Sequence, residues 1–120
     1  MTGDGPPLTP VDAARTLWQI GQDISAATAD LIQQRRQYPG LVRARRMAFA
    51  RAFLAAEGAQ DYRRQVAEQA AAEARMAEET CEQSIEALKD RLRELRDRSE
   101  IGRSINSNLK EELRTLGGQP

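Results

Sequence analysis

The sequence predicts an all-α protein, an elongated antiparallel helical hairpin whose two arms form a coiled coil. Charged residues make up 30% of the 120 residues and aromatic residues only 4%, a composition typical of long helices rather than of a globular core. Two stretches carry apolar residues at alternating steps of three and four, which is the spacing of a coiled-coil seam. Gly58 lies between these stretches and is the best candidate for the reversal of the chain.

The first arm is predicted to begin at Thr9. Thr9 can cap a helix, Pro10 suits the first helical position because no backbone N–H is needed there, and Asp12 can complete a capping box. Residues 1–8 contain two glycines and two prolines and are predicted to be disordered. The predicted seam of this arm consists of Ala13, Leu17, Ile20, Ile24, Ala27 and Leu31.

The sequence Tyr38-Pro39-Gly40 leaves two topologies open. Proline disfavours helical geometry in the residue before it and glycine adds freedom, so the chain either kinks or reverses here. A kink keeps the hairpin, with its turn at Gly58. A reversal gives the alternative fold, a three-helix bundle of helices 9–37, 41–57 and a long third helix whose C-terminal part projects.

The second arm, residues 59–116, is predicted to be one helix because it contains no proline and is followed by Gly117-Gly118. Its predicted seam consists of Cys81, Ile85, Leu88, Leu92, Leu95, Ser99 and Gly102, and then Leu109, Leu113 and Leu116. If the chain reverses at Gly58, the numbers of facing residues add to about 116, which pairs Leu17 with Ser99 and Leu31 with Ile85. Residues 9–116 are therefore predicted to form a single helical-hairpin domain, followed by a disordered segment 117–120.

The charge pattern supports the same pairing. Residues 31–56 contain six arginines and no acidic residue, whereas residues 57–90 contain nine acidic and four basic residues. If the chain reverses at Gly58, the basic segment lies beside most of the acidic one. Exposed ion pairs contribute only about 0.2–1 kcal/mol each, so we expect these charges to select the register and the buried apolar residues to provide the stability.

The end of the second arm is the first candidate for a functional surface. In the hairpin, residues beyond 107 face the N-terminal segment, so the last leucines of the seam have no helical partner within the chain. Unpartnered apolar positions on a helix mark an oligomer interface or a docking helix, and Trp18, beside the first seam, is a further candidate. The predicted interface consists of Trp18, Ile101, Ile105, Leu109, Leu113 and Leu116, and the predicted assembly is a homodimer or a higher homo-oligomer.

The arginine-rich segment gives an alternative function, the binding of nucleic acid. Arginines at helical spacing can neutralise phosphates and release counterions, although the net charge of zero argues against a strong electrostatic footprint. The other prediction for these side chains is that they lie along the acidic arm or face water. The candidate contacts are Arg35, Arg36, Arg43, Arg45, Arg46 and Arg51.

The composition argues against an enzyme, a cofactor and a metal centre. The chain has no histidine, which is the usual general base and the commonest metal ligand, and only one cysteine, Cys81. It also has neither a run of about 18 apolar residues nor the basic and then apolar regions of a secretion signal at its start. We therefore expect a cytoplasmic protein with no membrane partner.

Two segments resemble small helical proteins carried by phages and prophages of high-GC actinobacteria. They are Arg51-Ala-Phe-Leu-Ala-Ala-Glu-Gly58, which precedes a helix rich in Ala, Glu and Arg, and Arg103-Ser-Ile-Asn-Ser-Asn-Leu-Lys-Glu-Glu-Leu-Arg114. The resemblance covers residues 41–116. It implies a phage or prophage origin, a host or phage protein as docking partner, and the bacterial host cytoplasm as the location. For the alternative function it implies an accessory role in phage DNA metabolism.

Overall fold

The protein is an all-α helical hairpin. The computed structural model describes residues 9–117, which form three helices: α1 (Pro10–Ala55), α2 (Gln60–Ala70) and α3 (Ala72–Gly117). The predicted disordered segment 1–8 lies outside the described residues, as do residues 118–120. Gly117 is still helical, so the second arm ends one residue later than predicted. None of the described helices is long and apolar enough to cross a membrane.

The start of α1 is fixed by the predicted capping box. The backbone N–H of Asp12 donates a hydrogen bond to Oγ1 of Thr9 over 3.1 Å, and the backbone N–H of Thr9 donates to Oδ2 of Asp12 over 3.4 Å. The two residues thereby satisfy backbone donors that a helix N-terminus otherwise leaves without a partner.

Pro39 lies inside α1, and the helix continues through Tyr38 and Gly40 without a turn. The alternative three-helix bundle is therefore wrong. A proline in a helix interior costs about 3 kcal/mol, but side chains on both sides of it anchor α1 to α3. The Tyr38 hydroxyl donates to Glu82 and Arg45 Nε donates to Glu78, so the helix is held in place on either side of the exposed proline ring.

The chain reverses over residues 56–59, as predicted. Gly58 has a φ of 115°, in the left-handed region that L-residues with a side chain rarely adopt. Arg63 in α2 stabilises this turn, because its Nε and Nη2 both donate hydrogen bonds to the backbone oxygen of Phe53, over 3.1 and 3.0 Å. That carbonyl lies in the last turn of α1, where no backbone partner remains. Arg63 therefore acts as a side-chain cap for the C-terminus of α1.

The prediction of one uninterrupted second arm is wrong at a single residue. Ala71, with φ −92° and ψ 0°, separates α2 from α3. Helical hydrogen bonds continue across it, since the Ala71 N–H donates to Ala67 and the Arg75 N–H donates to Ala71, over 3.0 and 2.9 Å. The side chains of Ala67 and Ala71 are both fully buried, so the irregularity lies at a fully buried position of the hairpin.

The described residues belong to two compact units. The first combines residues 9–28 with 90–117, and the second consists of residues 29–89. In the second unit α1 packs antiparallel to α2 and α3 around Leu31, Ala67, Ala71 and Cys81, which are all buried. The Cys81 thiol donates to the backbone oxygen of Gln34 over 3.3 Å. The numbers of these two residues add to 115, close to the predicted value.

In the first unit the buried residues are Ala13, Ala27, Leu92, Leu95 and Ser99, all of them predicted seam positions. Gly102 lies directly against Leu17, so closely that a Cβ added to the glycine would be 2.8 Å from Leu17 Cδ2. Gly102 is three positions, less than one helical turn, beyond Ser99, the predicted partner of Leu17. The small residues Ala13, Ser99 and Gly102 thus allow α1 and α3 to approach closely here.

Candidate interaction surfaces

The C-terminal part of α3 exposes a row of large apolar side chains, here called the α3 stripe. It consists of the predicted interface residues Ile101, Ile105, Leu109, Leu113 and Leu116. Leu116 is 81% exposed, Ile101 62%, Leu113 55% and Ile105 39%, and Leu109 is half-buried. A contiguous row of this kind is unusual on the surface of a monomer and marks an interaction surface.

The exposure of the stripe has two structural causes. Ile101 and Ile105 lie beside the seam that packs on α1, whereas Leu109, Leu113 and Leu116 continue that seam. Because Leu17 lies at Gly102 and the helices are antiparallel, Pro10 at the start of α1 corresponds to Leu109. Leu113 and Leu116 therefore lie beyond the described start of α1.

Asn106 occupies the seam position between Gly102 and Leu109. Its Oδ1 is buried and accepts no hydrogen bond from any described residue. Asn106 was not among the predicted seam residues, although the alternating steps of three and four from Gly102 to Leu109 place it on the seam. A polar residue at a single seam position specifies the pairing of helices at a cost in stability.

Trp18 is also exposed, by 64%, but it does not share a face with the α3 stripe. With 3.6 residues per turn, it points about 140° away from the mean direction of the α1 seam, which faces α3. Val11, seven residues earlier, lies on the same outer side of α1 and is similarly exposed. The structure thus separates the predicted interface into two surfaces, one on each helix.

The six predicted nucleic-acid contacts divide in a similar way. Arg45 is half-buried, and its Nε donates to Oε1 of Glu78 over 2.7 Å. This residue fulfils the structural prediction that the arginines pair with the acidic arm. The other five are exposed and spread around the outer half of α1: Arg35, Arg36, Arg43, Arg46 and Arg51.

The aromatic side chains near these arginines make contacts within the protein. Phe49 and Phe53 stack with ring centroids 6.1 Å apart, and the Arg63 guanidinium lies 4.5 Å from the Phe53 ring centre. The hydrogen bond from the Tyr38 hydroxyl to Glu82 raises the pKa of Tyr38, since only the protonated hydroxyl can donate it. These rings stabilise the hairpin, so contact with nucleic acid at this surface would depend on the arginines.

The acidic side chains of α3 also have structural roles, since Glu78 and Glu82 bind Arg45 and Tyr38. Within residues 9–117 no three side chains of His, Cys, Asp or Glu lie together in a way that could hold a metal ion. Together, the fold and the surfaces define a helical hairpin with an exposed apolar stripe and a separate cationic face. The chain matches no known protein family, no curated protein and no solved structure.

Proposed function

We propose that this protein is a non-enzymatic coiled-coil interaction module, encoded by a phage or prophage, that forms homodimers through the α3 stripe. In the bacterial host cytoplasm the same C-terminal helix docks a host or phage protein. The observation that carries the proposal is the exposure of Ile101, Ile105, Leu113 and Leu116 on one helix segment.

The physical argument is the cost of leaving these side chains in water. Full burial of a Leu or Ile contributes about 1.5–3 kcal/mol, and a twofold-symmetric dimer buries each side chain twice. The continuation of the seam at Leu113 and Leu116 also gives a second helix the same spacing that α1 uses elsewhere on α3.

The test compares Leu116→Asp with Leu54→Asp by light scattering during gel filtration over a range of concentrations. Leu54, in α1, is the matched control because it is 76% exposed and Leu116 81%. We expect the wild-type chain and the Leu54→Asp variant to be dimers and the Leu116→Asp variant to be a monomer. Equal dimerisation of both variants would contradict the proposal.

A second candidate function is an accessory role in phage DNA metabolism through nucleic-acid binding. The observation that favours it is the exposure of five arginines on α1 between residues 35 and 51, a segment without any acidic residue. Binding of this kind weakens steeply with salt, because each neutralised phosphate releases counterions.

This second candidate is tested by gel retardation of DNA and RNA at several salt concentrations. One variant changes the five exposed arginines of α1 to Glu. A matched variant changes five exposed arginines of α3 to Glu: Arg91, Arg93, Arg96, Arg103 and Arg114. We expect salt-dependent retardation that only the α1 variant loses. No retardation at low salt, or equal loss in both variants, would exclude a nucleic-acid site on α1.

A further inference from the structure

Arg98 and Glu112 are placed symmetrically about Ile105 on the exposed face of α3. Each is seven residues, or about 10.5 Å along the helix, from Ile105. Seven residues also bring the helix back to within about 20° of the same direction, so both charges lie in line with the centre of the stripe. Both side chains are exposed.

We propose that the second copy packs antiparallel across the stripe with Ile105 at the twofold axis. This register rests on the proposed homodimer. It brings Arg98 of each protomer to the partner's Glu112 and Ile101 to the partner's Leu109. The contacts of Ile101, Ile105 and Leu109 then lie in the middle, with an ion pair on each side of them. Leu113 and Leu116 lie beyond these pairs, at the levels of the partner's Asp97 and Glu94, so Leu116→Asp brings carboxylates of the two copies together.

Charge selects this arrangement over the parallel one. In a parallel dimer Arg98 would lie beside the partner's Arg98, and Glu112 beside the partner's Glu112, so both ends would repel. The antiparallel dimer turns the same four charges into two attractions. Like charges brought together across an interface suppress the wrong pairing more than the matching pairs add to affinity.

The contacts within the protomer leave both side chains able to pair. Arg98 donates from Nη2 to Glu94, four residues earlier, in a pair that is more than half exposed. Such a pair is weak, and the guanidinium carries further donors. Glu112 makes no ion pair with any residue between 9 and 117. Its carboxylate is therefore available to the partner's Arg98.

Charge reversal tests the register. We expect Arg98→Glu and Glu112→Arg each to raise the dimer dissociation constant about tenfold, because each turns two attractions into repulsions. The double variant restores the pairs with exchanged signs, so its dissociation constant returns to near the wild-type value. An equimolar mixture of the two single variants forms heterodimers, in which both pairs are again attractive. The matched controls Arg103→Glu and Glu111→Arg alter charges on the opposite side of α3 and leave dimerisation unchanged.

Cysteine cross-linking gives an independent geometric test. Disulfides form only when the two Cα atoms lie within about 7 Å. Ile105→Cys is expected to cross-link across the twofold axis. Ile101→Cys is not, because antiparallel copies separate the two cysteines by about 12 Å along the helix. The buried Cys81 is retained in both variants.

The outcomes separate the register from the proposed function. A wild-type monomer defeats both. The register alone fails if the wild type is a dimer that Leu116→Asp dissociates, but the double charge reversal does not restore dimerisation. It also fails if both cysteine variants cross-link equally. In either case the proposed homodimer is retained.

Discussion

Replacing Gly102 with alanine tests how closely α1 and α3 pack in the unit formed by residues 9–28 and 90–117. In a helix interior, Gly to Ala stabilises by up to about 1 kcal/mol through backbone propensity. At Gly21, where a Cβ would meet nothing within 4 Å, we expect this full gain. At Gly102 the new Cβ would lie 2.8 Å from Leu17 Cδ2 and 3.4 Å from Leu17 Cγ, so the leucine must move. Overpacking of this kind costs about 1–3 kcal/mol, and the Gly102→Ala variant should be less stable than the Gly21→Ala variant by that amount.

The assay is urea unfolding followed by circular dichroism, at one protein concentration because association also adds to stability. A double-mutant cycle with Leu17→Ala isolates the contact. Once the leucine is truncated, Gly102→Ala should recover the full propensity gain that Gly21→Ala shows. If the effects of Leu17→Ala and Gly102→Ala add to within about 0.5 kcal/mol, the two residues are not in contact, and the packing described for this unit is incorrect.

Three further predictions concern the core, the buried amide and the tyrosine. Leu95→Ala removes the largest fully buried side chain and should lower the free energy of unfolding by about 2–5 kcal/mol in urea titrations. Asn106→Leu removes a buried oxygen that has no partner among the described residues. It should raise the free energy of unfolding by about 1 kcal/mol, which appears as a higher urea midpoint. Glu82→Gln weakens the hydrogen bond that the Tyr38 hydroxyl donates to the carboxylate and removes its charge, both of which raise the pKa of Tyr38. In a Tyr62→Phe background, ultraviolet pH titration should then show Tyr38 ionising at lower pH.

Controls keep these predictions specific. Leu54→Ala, at an exposed position, should change the free energy of unfolding by less than about 0.5 kcal/mol. If Leu95→Ala lowers it by no more than that, Leu95 is not buried. Asn108→Leu, at an exposed position two residues further along α3, serves in the same way for Asn106. The pKa of Tyr38 is raised in the folded chain from an ordinary value of 10.0. Its stabilising effect is therefore complete below about pH 10 and is lost as the pH rises through the raised value. An identical titration with and without Glu82→Gln would show that the Glu82 carboxylate does not raise the pKa of Tyr38.

The hairpin and its seam could be predicted because they depend on local chemistry and on spacing. Gly58 was recognisable as a turn residue, and the structure gives it a positive φ that only glycine adopts readily. The predicted seam positions of the first arm, from Ala13 to Leu31, are all buried or half-buried, as are those of the second arm from Cys81 to Leu109. Side-chain size and period alone determine which face of each helix is buried.

Tertiary contacts explain what the sequence did not reveal. The two alternatives at Pro39 did not consider the hydrogen bonds from Tyr38 and Arg45 to α3, which anchor α1 on both sides of the proline. Ala71 gave no signal because alanine is the best helix former, and its deviation follows the packing of fully buried alanines. The cap that Arg63 places on Phe53 joins two residues across a turn, a contact that periodicity does not encode.

The candidate surface was only partly predictable for the same reason. The last leucines of the stripe followed from the mismatch in arm length, whereas Ile101 and Ile105 lie beside the seam. All its residues are exposed except for the half-buried Leu109. Trp18 was grouped with them because it lies beside a seam, but helical geometry turns it to the outer side of α1. The buried amide of Asn106 was not predicted because the seam was assigned from the spacing of apolar residues, and a polar residue gives no such signal.

The most direct test of the central claim is the mass of the wild-type chain by sedimentation equilibrium as its concentration rises. We expect a mass that increases from 13.4 kDa to twice that value and then stays constant, as for a closed twofold dimer. A mass of 13.4 kDa at every concentration would contradict it.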